Sequence, residues 1–249
     1  MILENKKVII FDLDGTLAVS KQPLTPKMSG LLKKLMDNYT VAVISGGFFE
    51  QYQKQFLYSL NASKEEYEKL ILLPTSGTTM YKYVENSWKE IYCNEIAEDE
   101  KEKIISYFNY ALEYFNLIPE LTYGKLIEDR RTQITYSGLG QEAPVEAKKI
   151  WDPTGEKRIK IIDYLKDKLP NYSIRFGGMT SIDVTKQGID KAYGIRKLVE
   201  HLNIPVEQMV FVGDALQKGG NDYPARETGV DCVEVADPSD TEKYIESII

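Results

Sequence analysis

Short apolar runs alternating with amphipathic stretches set the rhythm of the first third of the chain. Val8-Ile9-Ile10-Phe11 is an unbroken apolar run, the pattern of a strand buried on both faces. Thr25-Pro26 predicts an N-cap followed by proline at the first helical position. Met28, Leu31, Leu32, Leu35 and Met36 then recur at helical spacing. Val41-Ala42-Val43-Ile44 predicts a second buried strand, ending at Ser45-Gly46-Gly47. Residues 48–56 predict a helix and Leu70 to Leu73 a third strand. Strand–helix alternation of this kind favours a parallel sheet with helices on both faces.

The pattern changes after Gly77. Tyr81 to Val84, Glu85-Asn86-Ser87 and Trp88 to Tyr92 predict a hairpin. A long helix is expected from Glu98 to Phe115, one or two strands within Ile127 to Tyr136, and a helix from Gly155 to Leu169. Tyr172 to Phe176 and Ser181 to Val184 predict a strand pair. The earlier style then returns. Lys191 to Leu202 is amphipathic, and Met209 to Val212 is an apolar strand ending at Gly213-Asp214. A short helix, a strand at Cys232 to Val235 and a last helix from Thr241 follow. The expected architecture is α/β: a Rossmann-like parallel-sheet core over residues 1–79 and 188–249, with an inserted α+β cap domain over residues 80–187.

Composition narrows the chemistry. A net charge of −7 argues against a nucleic-acid partner, which needs a basic face. It leaves small anions open, because basic groups in a cleft override the global field. No apolar run approaches the length that crosses a bilayer, so no membrane is expected, and the expected location is the cytoplasm. Cys93 and Cys232 are expected as free thiols. The single histidine, His201, sits in a helical pattern near Leu198 and Leu202 and is expected as a surface or packing residue rather than a catalyst. Catalysis must then come from carboxylates, hydroxyls, amides and lysines.

The first strand supplies such groups. Asp12 and Asp14 stand at its C-terminal mouth, followed by Gly15 for a sharp turn and by the hydroxyl of Thr16. Buried carboxylates need a cation or another partner. Asp12 can act as a nucleophile on phosphorus and Asp14 as general acid and base. Ser45, with Gly46 and Gly47, offers a hydroxyl and backbone amides to phosphate oxygens. Lys191 can neutralise charge near Asp12. Asp214, at a later strand end, can join Asp12 in holding a hard cation.

Phe11-Asp12-Leu13-Asp14-Gly15-Thr16-Leu17 resembles the first motif of the haloacid dehalogenase superfamily of phosphotransferases. An insertion after the third strand resembles the superfamily's second cap class, shared by sugar phosphatases and eukaryotic-type phosphomannomutases. Three segments resemble the latter. They are Gly213-Asp214-Ala215-Leu216-Gln217-Lys218-Gly219-Gly220-Asn221-Asp222, then Gly177 to Val184 followed by Gly188-Ile189-Asp190-Lys191, and Glu128-Asp129-Arg130. The resemblance implies a Mg2+-dependent enzyme that passes a phosphoryl group through Asp12, with Asp12, Asp14, Asp214, Asn221 and Asp222 at the metal. It implies a hexose phosphate substrate, a hexose bisphosphate activator and a homodimer through the cap. Substrate contacts are implied for Lys21, Gly46, Gly47, Arg130, Gln141, Lys148, Ser181 and Asp183.

The chain also departs from the family pattern. The pattern places further cap arginines after the Arg130 strand, where this chain has Gln141 and then Lys148 and Lys149. A lysine is a point charge without the planar fork of arginine. A weaker grip on a second phosphate fits a sugar-phosphate phosphatase. The sequence therefore leaves that hydrolase open beside the phosphomannomutase, with a non-catalytic sugar-phosphate binder as the remaining alternative.

Overall fold

The structure is a computed structural model and describes residues 3–249. Its strands are β1 (Val8–Asp12), β2 (Thr40–Ile44), β3 (Leu70–Leu73), β4 (Thr79–Val84), β5 (Ser87–Cys93), β6 (Ile127–Asp129), β7 (Gln133–Ser137), β8 (Tyr172–Phe176), β9 (Ser181–Lys186), β10 (Met209–Gly213) and β11 (Asp231–Glu234). Among the described residues these form a seven-stranded sheet in the order β11-β10-β1-β2-β3-β4-β5 and a four-stranded sheet in the order β6-β7-β9-β8. The chain divides into two compact units, one running up to Cys93 and from Ile189 onward, the other Asn94–Gly188.

In the first unit β11, β10, β1, β2 and β3 are parallel. Alternate residues of each strand enter opposite cores, as the period of two requires. Ile9 and Phe11 pack with Val41, Val43 and the apolar stripe of the Pro26–Met36 helix. Val8 and Ile10 pack with Ala42, Ile44, Ile195 and Leu198 on the other face. Burial on both sides explains why these strands read as continuous apolar runs. The Pro26–Met36 helix starts as expected: the Thr25 side chain accepts from the Met28 amide at 3.0 Å. β1 is flanked by β2 on one side and β10 on the other, so its C-terminal end lies at the switch point where open α/β sheets bind ligands.

The hairpin differs from expectation. The sequence boundary at residue 80 placed it in the inserted module, but β4 pairs antiparallel with β3 and extends the first unit's sheet. The pairing covers hydrogen-bonding groups that the β3 edge would otherwise expose. Aromatic packing holds the hairpin there: Phe49 stacks on Tyr81, and Tyr67 meets Tyr83 and Trp88. Its two-residue tip, Glu85-Asn86, has positive φ at both positions, the geometry that matches strand twist.

The second unit is a sheet with helices on one face. Ile134, Tyr136, Ile182 and Val184 point into a core with Ile104, Phe108, Ile161 and Leu165 of the Glu98–Tyr114 and Glu156–Lys168 helices. The alternate positions Gln133, Thr135, Ser137, Ser181 and Asp183 belong to the other, polar face. A short helix, Val145–Trp151, and the start of the last helix at Pro238 rather than Thr241 were not expected from the sequence.

Candidate active site

Two strand ends and one helix start of the first unit deliver its charged groups to one place. Asp12 is the last residue of β1 and almost fully buried. Gly15 has φ +96°, and a Cβ there would lie 2.6 Å from an Asp214 oxygen, so the turn after β1 needs glycine. Thr16 Oγ1 donates to Asp214 Oδ1 at 3.0 Å. Beyond β10, Asp222 folds back inward, and its Oδ2 accepts from the Ala215 amide at 3.2 Å. Asp12, Asp214 and Asp222 bring ligand oxygens within 4.8 Å of one another.

Lys191 faces this group. It is the first residue of the Lys191–Leu202 helix, capped by Asp190, whose side chain accepts from the Tyr193 amide at 3.0 Å. The helix approaches the turn after β3 closely at Gly194, where a Cβ would lie 2.9 Å from the Ser76 carbonyl oxygen. Lys191 Nζ makes a short hydrogen bond to Asp12 Oδ1, donates to the Ile44 carbonyl at 3.0 Å and stands 3.2 Å from Asp222 Oδ1.

The electrostatics are unbalanced. Among the described residues of the cluster, three carboxylates against one ammonium leave a formal negative charge. Burial pushes the Asp12 carboxyl up to about 7; Lys191 opposes the rise, and Asp222 and Asp214 add to it. Burial also raises Asp214, with Thr16 opposing and Asp222 adding. Burial would lower Lys191, but Asp12 and Asp222 more than offset it and push it up. Asp12 Oδ2 is buried and has no hydrogen-bond partner. An orphaned carboxylate oxygen beside two further carboxylates is the donor set a hard divalent cation uses.

The other expected core residues fall around this cluster. Ser45 Oγ accepts from the Gly47 amide at 3.3 Å, and the Ser45 carbonyl accepts from Ser76 at 2.9 Å. Thr75 and Ser76 have φ of +47° and +57°, a strained left-handed pair that ties the end of β3 to this loop. Gly46 is exposed, with open space where a Cβ would go. Asp14 lies outside the three-carboxylate group: its Oδ1 accepts from the Lys21 amide at 2.8 Å and from Gln55 Nε2 at 3.0 Å. Asn221 and Lys21 are exposed.

The second unit carries the expected cap residues. β7 and β9 pair Thr135 with Asp183 and Ser137 with Ser181. Thr135 Oγ1 donates to Asp183 Oδ1 at 2.8 Å and accepts from Gln133 Nε2 at 2.8 Å. Arg130 donates to Glu128 at 2.8 Å. Lys148 Nζ donates to the Gln141 carbonyl at 2.7 Å, so these two are brought together through the main chain. Sequence reasoning missed Gln55, Gln133 and Thr135. The signal for the last two was the alternation through β7, which puts polar side chains on the face of Ser181 and Asp183; nothing local marked Gln55.

Comparisons with known proteins bear on the family and the fold. The family model described as eukaryotic phosphomannomutase matches residues 28–249. A phosphomannomutase of Dendrobium officinale is 29% identical, covering 89% of this chain and 85% of the relative. Phosphomannomutase 1 of Mus musculus is 29% identical, covering 86% and 80%. Among solved structures, a haloacid dehalogenase-like hydrolase from Bacteroides thetaiotaomicron superposes with a TM-score of 0.69 at 16% identity, covering 98% of this chain and 100% of the other. An N-terminally truncated IMP-nucleotidase of Plasmodium falciparum gives 0.70 at 18% identity, covering 98% and 70%. At such identities the structures establish a shared fold, whereas the family match spans most of the sequence. This chain belongs to the eukaryotic phosphomannomutase family.

Proposed function

We propose that this protein is a magnesium-dependent phosphotransferase that interconverts mannose 6-phosphate and mannose 1-phosphate through a phosphoryl group carried on Asp12. The observation that carries the proposal is the buried, unpartnered Asp12 oxygen among Asp214, Asp222 and Lys191. Family membership supplies the substrate class.

In the first half-reaction an Asp12 oxygen attacks phosphorus, the bond to the sugar oxygen breaks, and Asp14 gives that oxygen its proton. In the second, the other sugar hydroxyl yields its proton to Asp14 and attacks phosphorus, and the bond to Asp12 breaks. The carboxylate is thereby restored. Lys191 offsets charge on Asp12 and the group in flight. Ser45 and the Gly46 amide bind its spectator oxygens. Asp12, Asp214 and Asp222 would hold the metal, with Asn221 as a further ligand implied by the family motif; Asp14, implied there too, lies outside the three-carboxylate group and is kept for proton transfer. Bound magnesium would supply charge neutralisation between the anionic nucleophile and the anionic substrate.

The second unit is assigned recognition of the sugar and its spectator phosphate, through Arg130, Gln141, Lys148, Ser181 and Asp183; Lys21 of the first unit is assigned a phosphate contact. The proposal includes a hexose bisphosphate activator and a homodimer through the second unit, checked by light scattering for twice the chain mass.

A second reading, hydrolysis of a sugar phosphate, is favoured by one observation. Lys148 and Lys149 fall near a place where the family pattern has an arginine, and the Lys148 ammonium is engaged by the Gln141 carbonyl. One assay separates the two. Purified protein with mannose 1-phosphate, magnesium and a hexose bisphosphate is expected to form mannose 6-phosphate. Free phosphate without mannose 6-phosphate would reject the mutase and leave the hydrolase.

A further inference from the structure

We propose that Gln55 is a positioning residue that holds the Asp14 carboxyl in the orientation its acid–base role requires. The proposal rests on the phosphotransfer reading of the site and deepens it.

Gln55 is buried, a setting where a polar side chain needs partners. It lies in a π-helical turn, Gln53–Leu57, between the α-helical segments Phe49–Tyr52 and Tyr58–Leu60. Such turns are rare and change the register between the side chains before and after them. Here Tyr52, Phe56 and Leu60 stay in the core while the Gln55 amide reaches Asp14.

The polarity of the contact follows from the groups. An ionised carboxylate only accepts hydrogen bonds, so Gln55 presents Nε2 to Asp14 at 3.0 Å. Its Oε1 is then left as an acceptor, and Gln51 Nε2 donates to it at 3.1 Å. The Gln51 amide in turn lies over Gly47, where a Cβ would sit 2.6 Å from Gln51 Oε1. A ladder of two amides therefore runs from the Ser45–Gly47 loop to Asp14, and each rung sets the orientation of the next.

The consequence concerns a proton. Asp14 Oδ1 accepts from both Gln55 Nε2 and the Lys21 backbone amide. An oxygen that faces two N–H donors is a poor place for a third hydrogen. With Oδ1 held in this way, Oδ2 is the oxygen left to face the sugar oxygens between which the phosphoryl group passes. Lys21 reaches Asp14 through its main chain, at φ +60°, so its side chain is not part of this device.

A fall in activity alone would not separate positioning from packing, so the test uses leaving-group dependence. A hexose 1-phosphate is compared with its 2-fluoro analogue, whose more acidic anomeric hydroxyl departs with less need of a proton. Gln55→Leu is expected to slow kcat for the natural donor by about 10–10²-fold, short of the 10²–10⁴-fold for general acid–base catalysis as a whole. KM should stay within about threefold, and the loss on the fluorinated donor should be several-fold smaller. Gln55→Glu, near-isosteric but without the amide donor when ionised, should show the same preference. Asp14→Asn is the reference and should show it most strongly. Equal slowing of both donors in both Gln55 variants, or no slowing, would overturn the role of Gln55. Wild-type protein that accepts a phosphoryl group from neither donor would reject the phosphotransfer reading, and this proposal with it.

Discussion

At the scale of single residues, the site is defined by charges that do not balance. Asp214 is held near Asp12 and Asp222 by a threonine hydroxyl and by a turn that only glycine makes without strain. Its charge is unfavourable in the metal-free protein and favourable once a cation is bound. A saturating ligand at about 100 times its Kd stabilises a fold by about 2.7 kcal/mol. We predict that magnesium raises the melting temperature of the wild type and that EDTA reverses the gain. Asp214→Asn should leave the metal-free melting temperature unchanged or higher while shrinking the magnesium-induced rise. Thermal melts with and without the ion decide this, and an undiminished rise in the variant would remove Asp214 from the metal site. The meeting of Asp12, Lys191 and Asp214 was legible in the sequence because each stands at or beside an element end. Gln55 was not legible: a glutamine in a helix is chemically neutral, and a π-helical turn leaves no mark on apolar spacing.

At the scale of elements, the parallel strands were legible and the hairpin's allegiance was not. Strands buried on two faces must be apolar throughout, so β1, β2 and β3 announce themselves. The hairpin's own pattern says that two strands pair, but not which sheet edge they join. That is decided by Phe49 and Tyr67, far off in sequence, and by the open edge of β3. The Glu156–Lys168 helix has a comparable device. Asp152, three residues before the N-cap Gly155, accepts from the Lys157 and Arg158 amides at 3.0 and 3.3 Å and from Arg158 Nε at 2.8 Å. Burial alone would raise its carboxyl; these donors outweigh burial and hold it below the ordinary value of 3.8. A carboxyl depressed on folding gives stability that is complete above its unfolded value and is lost as pH falls through its folded one. We predict an acid-dependent loss of stability in the second unit below about pH 4, where aspartates titrate. Asp152→Asn should flatten that limb. Arg158→Met, which strands the buried carboxylate, should destabilise the unit at neutral pH by about 3–5 kcal/mol. Circular dichroism melts across pH test both, and an unchanged acid limb in Asp152→Asn would contradict the assignment.

At the scale of the whole molecule, two units have different duties in the sequence. The first concentrates charge at the ends of β1 and β10 and at the start of one helix. The second sets a polar face on a sheet whose other face is apolar. No helix of the described residues is long and apolar enough to cross a membrane. The family match covers residues of both units, which is why chemistry and substrate class are inferred together. In the proposed readings, transfer and hydrolysis part at Gln141, Lys148 and Lys149 and share the first half-reaction. That shared half-reaction is the central claim, and it can be caught directly. Protein incubated with magnesium and an isotopically labelled hexose bisphosphate is quenched in acid, digested and mapped by mass spectrometry. The label is expected on the peptide that contains Asp12, as an acyl phosphate cleaved by hydroxylamine and missing from Asp12→Asn. Turnover with the label on any other residue, or with no phosphorylated protein at all, would contradict the account.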